Sequence, residues 1–175
     1  LSRYPCRPGP GQKALVQRQV RDNSRAALQA LGFYQPVLTP QWRDADDERC
    51  FALTLTVDPG EPTRISALDI TLNGDAADDP AFQRTIDNAG LEQGQRLRHD
   101  RYSRLKQSLQ QLLINRGYAE GSVTRHRLEV DRDRREARVV LHVDSGPRYR
   151  FGEITLTGDD QINERLRRAY LQFDS

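Results

Sequence analysis

No stretch of this sequence approaches the roughly 20 consecutive apolar residues that a membrane-spanning helix needs. The piece is expected to be soluble. Its opening, Leu1-Ser2-Arg3-Tyr4-Pro5, also lacks the charged n-region and apolar h-region of a secretion signal. A stretch cut from a longer precursor would have lost such a signal, so this absence assigns no compartment.

Charge of one sign is missing as well. The 27 basic and 25 acidic residues are interspersed, as in Arg132-Asp133-Arg134-Arg135-Glu136, and a net charge of +2 leaves no field to gather phosphate. Nucleic acid is therefore not expected as a partner. Arginine far outnumbers lysine, which favours pairing with carboxylates, but genomic base composition produces the same bias and no function follows from it.

Cysteine is scarce. Cys6 and Cys50 are the only two; joined, they would close a loop of about 45 residues and stabilise by about 4 kcal/mol in the chain-entropy picture. Unjoined, they would be two small buried thiols.

Clusters that carry chemistry are absent too. His99, His126 and His142 are dispersed, and no Cys or His stands at metal-ligand spacing. Asp44, Asp46, Asp47 and Glu48 lack the glycine and distal glutamate of a calcium loop and read as a charged hairpin loop. Asp144-Ser145-Gly146 has the look of a hydrolase nucleophile turn, yet its sister Asp58-Pro59-Gly60 has no serine, so a turn is the expectation. No catalytic residue, metal or cofactor is expected.

What is present is an approximate repeat. The helix end Ala27-Leu28-Gln29-Ala30-Leu31-Gly32-Phe33-Tyr34 matches Leu112-Leu113-Ile114-Asn115-Arg116-Gly117-Tyr118: an apolar end, a capping glycine, then an aromatic. Leu55-Thr56-Val57-Asp58-Pro59-Gly60 then lies over Leu141-His142-Val143-Asp144-Ser145-Gly146, and Leu68-Asp69-Ile70-Thr71-Leu72-Asn73-Gly74 over Ile154-Thr155-Leu156-Thr157-Gly158. With 36% hydrophobic and 30% charged residues, the chain has much surface for its volume, as small modules in a row would.

The elements follow from period and punctuation. Asp79-Pro80 caps a helix at 80–89 that Gly90 stops, and Asp100 is expected to cap a longer helix at 101–116. Tyr102, Leu105, Leu109, Leu112 and Leu113 form one stripe on it, each fully buried member being worth about 1.5–3 kcal/mol. The polar run at 122–131 reads as an edge strand, the nearly continuous apolar run Val139–Val143 as the central one, and 131–136 as their solvated turn. With a strand at 64–73 the unit is βααββ. Before it stand a helix at 12–31, preceded by a Pro8-Gly9-Pro10-Gly11 loop, and strands at 35–42 and 51–57. After it come a strand at 149–157 and a helix at 161–171.

A βααββ unit ending Val143-Asp144-Ser145-Gly146 and followed by Tyr149-Arg150-Phe151-Gly152-Glu153-Ile154-Thr155-Leu156-Thr157-Gly158 resembles the POTRA module of Omp85-family outer-membrane assembly proteins. The segments 28–36 and 146–152 are similar to its TamA branch. The resemblance implies an α+β chain of tandem POTRA modules, each a three-stranded mixed sheet with two helices on one face: 1–60 as a partial first module lacking its N-terminal part, 61–147 as the second, 148–175 as the start of a third.

It further implies a non-enzymatic arm on the periplasmic face of the Gram-negative outer membrane. That arm would lead to a C-terminal outer-membrane β-barrel, working with outer-membrane or autotransporter client proteins and an inner-membrane-anchored TamB-like partner. The oxidising periplasm then favours a Cys6–Cys50 disulfide. Val123, Thr124, Arg125, His126, Arg127 and Leu128 become a candidate edge for a client strand, although alternating charge also simply keeps an edge soluble. Tyr149, Arg150, Phe151 and Gly152 become an inter-module junction, with core packing of Tyr149 or Phe151 as the plainer role. Three other readings stay open: the arm of a two-partner secretion transporter, with two modules rather than three, the arm of a general outer-membrane barrel assembly factor, and an envelope hydrolase, which would need a nucleophile, base and oxyanion site in one pocket.

Overall fold

The computed structural model describes residues 9–44, 51–150 and 152. Cys6 and Cys50, the acidic residues Asp46, Asp47 and Glu48, Phe151 and the elements expected beyond it lie outside the described residues.

The chain first forms a helix, α1 (Pro10–Ala30), and a hairpin of β1 (Val37–Asp44) and β2 (Phe51–Asp58). The helix begins earlier than its sequence suggests: Pro10 and Gly11, expected in a loop, open its first turn. Pro10 sits where a backbone N–H would be unpaired anyway, and the Gln12 side chain accepts the Gly9 amide at 3.1 Å. The antiparallel register sets Leu38 opposite Val57, Pro40 opposite Leu55 and Trp42 opposite Leu53 on one face, with Thr39–Thr56 and Gln41–Thr54 on the other. α1 lies on the apolar face: Gln17 donates to the Pro40 carbonyl, and Lys13 stands 5.6 Å over the Trp42 ring. No α1 residue is buried.

The second unit runs β3 (Arg64–Asn73), a short 3-10 helix (Asp75–Asp78), α2 (Pro80–Asp87), α3 (His99–Asn115), β4 (Ser122–Asp131) and β5 (Glu136–Asp144). Its sheet order is β3-β5-β4, with β3 parallel and β4 antiparallel to β5. Central placement explains the apolar run in β5. Val139, Leu141 and Val143 face the helices, and Val140 on the opposite face is only 6% exposed. Leu105, Leu109 and Leu113 of α3, Phe82 of α2 and Leu97 complete the core, where Phe82 meets Tyr118 edge-to-face at 5.6 Å.

Asp79 caps α2 as expected, accepting the Ala81 amide at 3.0 Å, and its other oxygen takes the Arg116 guanidinium and the Tyr118 hydroxyl. Burial alone would raise this carboxyl, but those three donors outweigh it and hold it below the usual range. Asp100 does not cap α3. The cap position is Arg98, which makes no side-chain capping bond, and Asp100 lies in the first turn, paired with Arg98 and Arg104.

Ser145 is fully buried and staples the turn after β5, accepting the Ala76 amide at 3.0 Å and donating to the Gly146 carbonyl at 2.9 Å. Two helix ends are built alike. The Gly32 carbonyl accepts the Thr63 amide at 2.8 Å, and the Gly117 carbonyl accepts the Tyr149 amide at 2.7 Å. Both glycines have positive φ, +90° and +84°.

Candidate functional site

β4 is an edge strand whose outer side finds no backbone partner among the described residues. The opposite edge is less open. At the start of β3, Ile65 donates to Gln95 and accepts from Gly94, while Leu97 donates to Thr63, so the 94–97 segment covers it.

The side chains of β4 are sorted by a bulge at Thr124, which lies between the pairs Val123–Val143 and Arg125–His142. One extra residue reverses the alternation. Val123 and His126, three apart, therefore share the helix side with Leu128 and Val130, opposite buried β5 residues, and Arg125, Arg127 and Glu129 occupy the outer face. Thr124 turns its hydroxyl onto the His142 carbonyl at 3.3 Å.

Beside this edge runs a groove between β4 and α3, with a volume of about 330 Å³, walled by Lys106, Gln110, Leu113 and Ile114 on one side and Val123 and His126 on the other. Ile114 is 72% exposed, an aliphatic side chain standing free next to unpaired backbone. Sequence reading missed it because it falls off the apolar stripe of α3. On the outer face His142 meets Asp69 at 2.9 Å, and that contact, chiefly, holds the Asp69 carboxyl low.

The six residues 123–128 thus form one continuous strand edge, but they point to two faces. The junction set is only partly placed. The Tyr149 hydroxyl donates to Glu120 at 2.7 Å and its ring is 48% exposed, so Tyr149 does not pack in a core. Arg148 ties the same segment down, its amide donating to Asp75 and its guanidinium to the Arg116 carbonyl. Arg150 and Gly152 are exposed. His99 sits elsewhere, between the two units, where its Nε2 meets the Tyr34 hydroxyl. Among the described residues no three His, Cys, Asp or Glu side chains gather as a metal ligand set, and no helix is long and apolar enough to cross a membrane.

Comparison with known proteins gives two family matches. Residues 2–59 match the family described as POTRA domain TamA domain 1, and residues 66–146 match the POTRA family described as surface antigen variable number repeat. Among solved structures, the chain is similar to POTRA3-5 of Haemophilus influenzae BamA at 16% identity and a TM-score of 0.48, over 93% of this chain and 61% of that one. POTRA1-3 of the periplasmic domain of Omp85 from Anabaena follows at 12% identity and 0.36, over 74% and 49%. The N-terminal domain of Omp85 from Thermosynechococcus elongatus gives 16% and 0.38, over 78% and 57%. The chain thus spans about three-fifths of the Haemophilus influenzae fragment. With two POTRA matches that together cover most of its length, the chain belongs to the POTRA-domain family, and its first matched segment is TamA-like.

Proposed function

We propose that this chain is a periplasmic protein-binding scaffold, a stretch of POTRA arm divided as 1–60, 61–147 and 148–175, whose β4 edge takes up an extended strand from a client. Clients are outer-membrane or autotransporter proteins on their way to a C-terminal outer-membrane barrel, with an inner-membrane-anchored TamB-like partner. The arm binds and positions; it does not catalyse. The disulfide Cys6–Cys50 belongs to the same proposal, as does a junction at Tyr149, Arg150, Phe151 and Gly152.

One observation carries the proposal: among the described residues, β4 presents unpaired backbone along its outer side while the start of the other sheet edge is covered. Main-chain hydrogen bonds give affinity for an added strand with little demand on its sequence. Ile114, Val123 and His126 offer the alternate side chains of that strand an apolar wall and a polar one. Replacing Thr124 or Leu128 by proline is expected to abolish client crosslinking at β4. Unchanged crosslinking in a proline variant that still folds removes the proposal.

A further inference from the structure

α3 has a second flank. Opposite the β4 groove, Arg98, Arg101, Leu105, Ser108 and Leu112, spaced by three and four, face α2 across an open groove of about 840 Å³. Arg84 and Asn88 of the α2 side and Arg104 at the mouth complete its polar rim, over a floor that includes Ala81 and Ala89.

Four arginines line this one cavity in a chain whose net charge is only +2, and no carboxylate lines it. Three of the four are held in place. Arg98 and Arg104 share Asp100 in the first turn of α3, outside the lining, and Arg101 donates to the Gly90 carbonyl at 2.7 Å. Each guanidinium has five donors, so these contacts fix the forks without exhausting them. Arg84 has no partner among the described residues, nor do the side chains of Asn88 and Ser108. Asp100 is held at about 2, chiefly by its Arg98 contact, so one fixed negative charge offsets the crowding of positive ones and the rest stays uncompensated.

We propose that the α2–α3 groove is a binding site for an acidic peptide segment of a partner protein, carrying carboxylates for the arginine forks and apolar side chains for the floor. Arginine recognises a carboxylate in bidentate fashion, and the half-buried Leu112, Ala81 and Ala89 give such a segment an apolar surface to pack on. A lone phosphate would leave that floor unused. A bilayer is disfavoured as well, because none of the large apolar side chains exposed among the described residues borders this groove. The site is separate from the β4 edge and takes up side-chain charge where β4 takes up backbone.

The test uses the whole chain, isotopically labelled, with a hexapeptide of alternating glutamate and leucine as probe. The expected result is saturable binding with amide shifts at Arg84, Asn88 and Ser108, weakened about tenfold or more by Arg84→Glu, since a charge-assisted hydrogen bond is removed and a repulsion added. Arg84 is exposed and has no partner among the described residues, so the variant keeps its fold, as circular dichroism would register. Binding should also fall as salt rises from about 0.05 to about 0.3 M, and survive Thr124→Pro. Equal binding of the glutamine counterpart, shifts confined to β4, indifference to Arg84→Glu, or binding of phosphatidylglycerol vesicles in place of the peptide would each overturn the proposal.

Discussion

At Gly117 the carbonyl accepts the Tyr149 amide while φ stands at +84°, and a Cβ added there would overlap the Tyr149 carbonyl oxygen. Gly94 has nearly the same φ, +85°, but open space around it. The pair separates backbone strain from collision. Gly94→Ala is expected to cost about 1–2 kcal/mol, the price of a left-handed alanine, and Gly117→Ala more than about 2 kcal/mol, since a packed neighbour has to move as well. Urea denaturation of the two variants checks this, and equal losses would show that the collision relaxes freely. Tyr102 predicts the opposite sign. Its ring is buried, yet its hydroxyl finds no partner among the described residues. Tyr102→Phe should therefore leave stability unchanged or raise it by up to about 1 kcal/mol in the same measurement. The repeat marked Gly32 and Gly117 as helix ends, but the carbonyl that each crowds comes from a distant segment, and no local pattern carries that.

Among the elements, β3 and β4 were legible to the residue because Gly74 ends β3, Gly121 precedes β4 and the charged 131–136 run closes it, and the order β3-β5-β4 agrees with an apolar centre beside a polar edge. The start of α3 was misread for a physical reason. Asp100 has the right chemistry for a cap, but two arginines compete for its carboxylate, and the helix begins two residues sooner, at His99. The bulge at Thr124 was invisible too, since the parity of Val123 and His126 is set by their partners on β5. Ile114 became meaningful only once β4 lay beside it. Being 72% exposed, Ile114→Ser should change stability by less than about 0.5 kcal/mol and still lower strand capture at β4 in crosslinking. Undiminished capture would leave the groove wall without a role.

For the whole molecule, the contact between the hairpin unit and the three-stranded unit is polar and therefore sensitive to pH. The 132–135 turn, expected to be merely solvated, reaches across: Arg132 stands 6.0 Å over the Tyr34 ring, while Arg135 pairs at 2.8 Å with Glu61 in the connection ahead of β3. Tyr34 in turn meets His99, whose neutral form is favoured, first by burial, against the opposing pull of the Asp100 carboxylate. A histidine held below its ordinary pKa of about 6.5 contributes stability that is complete above that value and is lost as pH falls below it. The carboxylates Asp79 and Asp100 act lower. Their contribution is complete above about 4 and fades as pH drops toward the value of about 2 at which Asp100 is held. Two separate events are therefore expected on acidification. The units loosen against each other first, seen as a fall in energy transfer between a label on α1 and one on β4 from about pH 7 to about pH 5. The three-stranded unit melts only later, seen in far-ultraviolet circular dichroism below about pH 4. In His99→Gln the early step should vanish and the late one remain. An early step that persists would place the sensitivity outside the Tyr34–His99 contact.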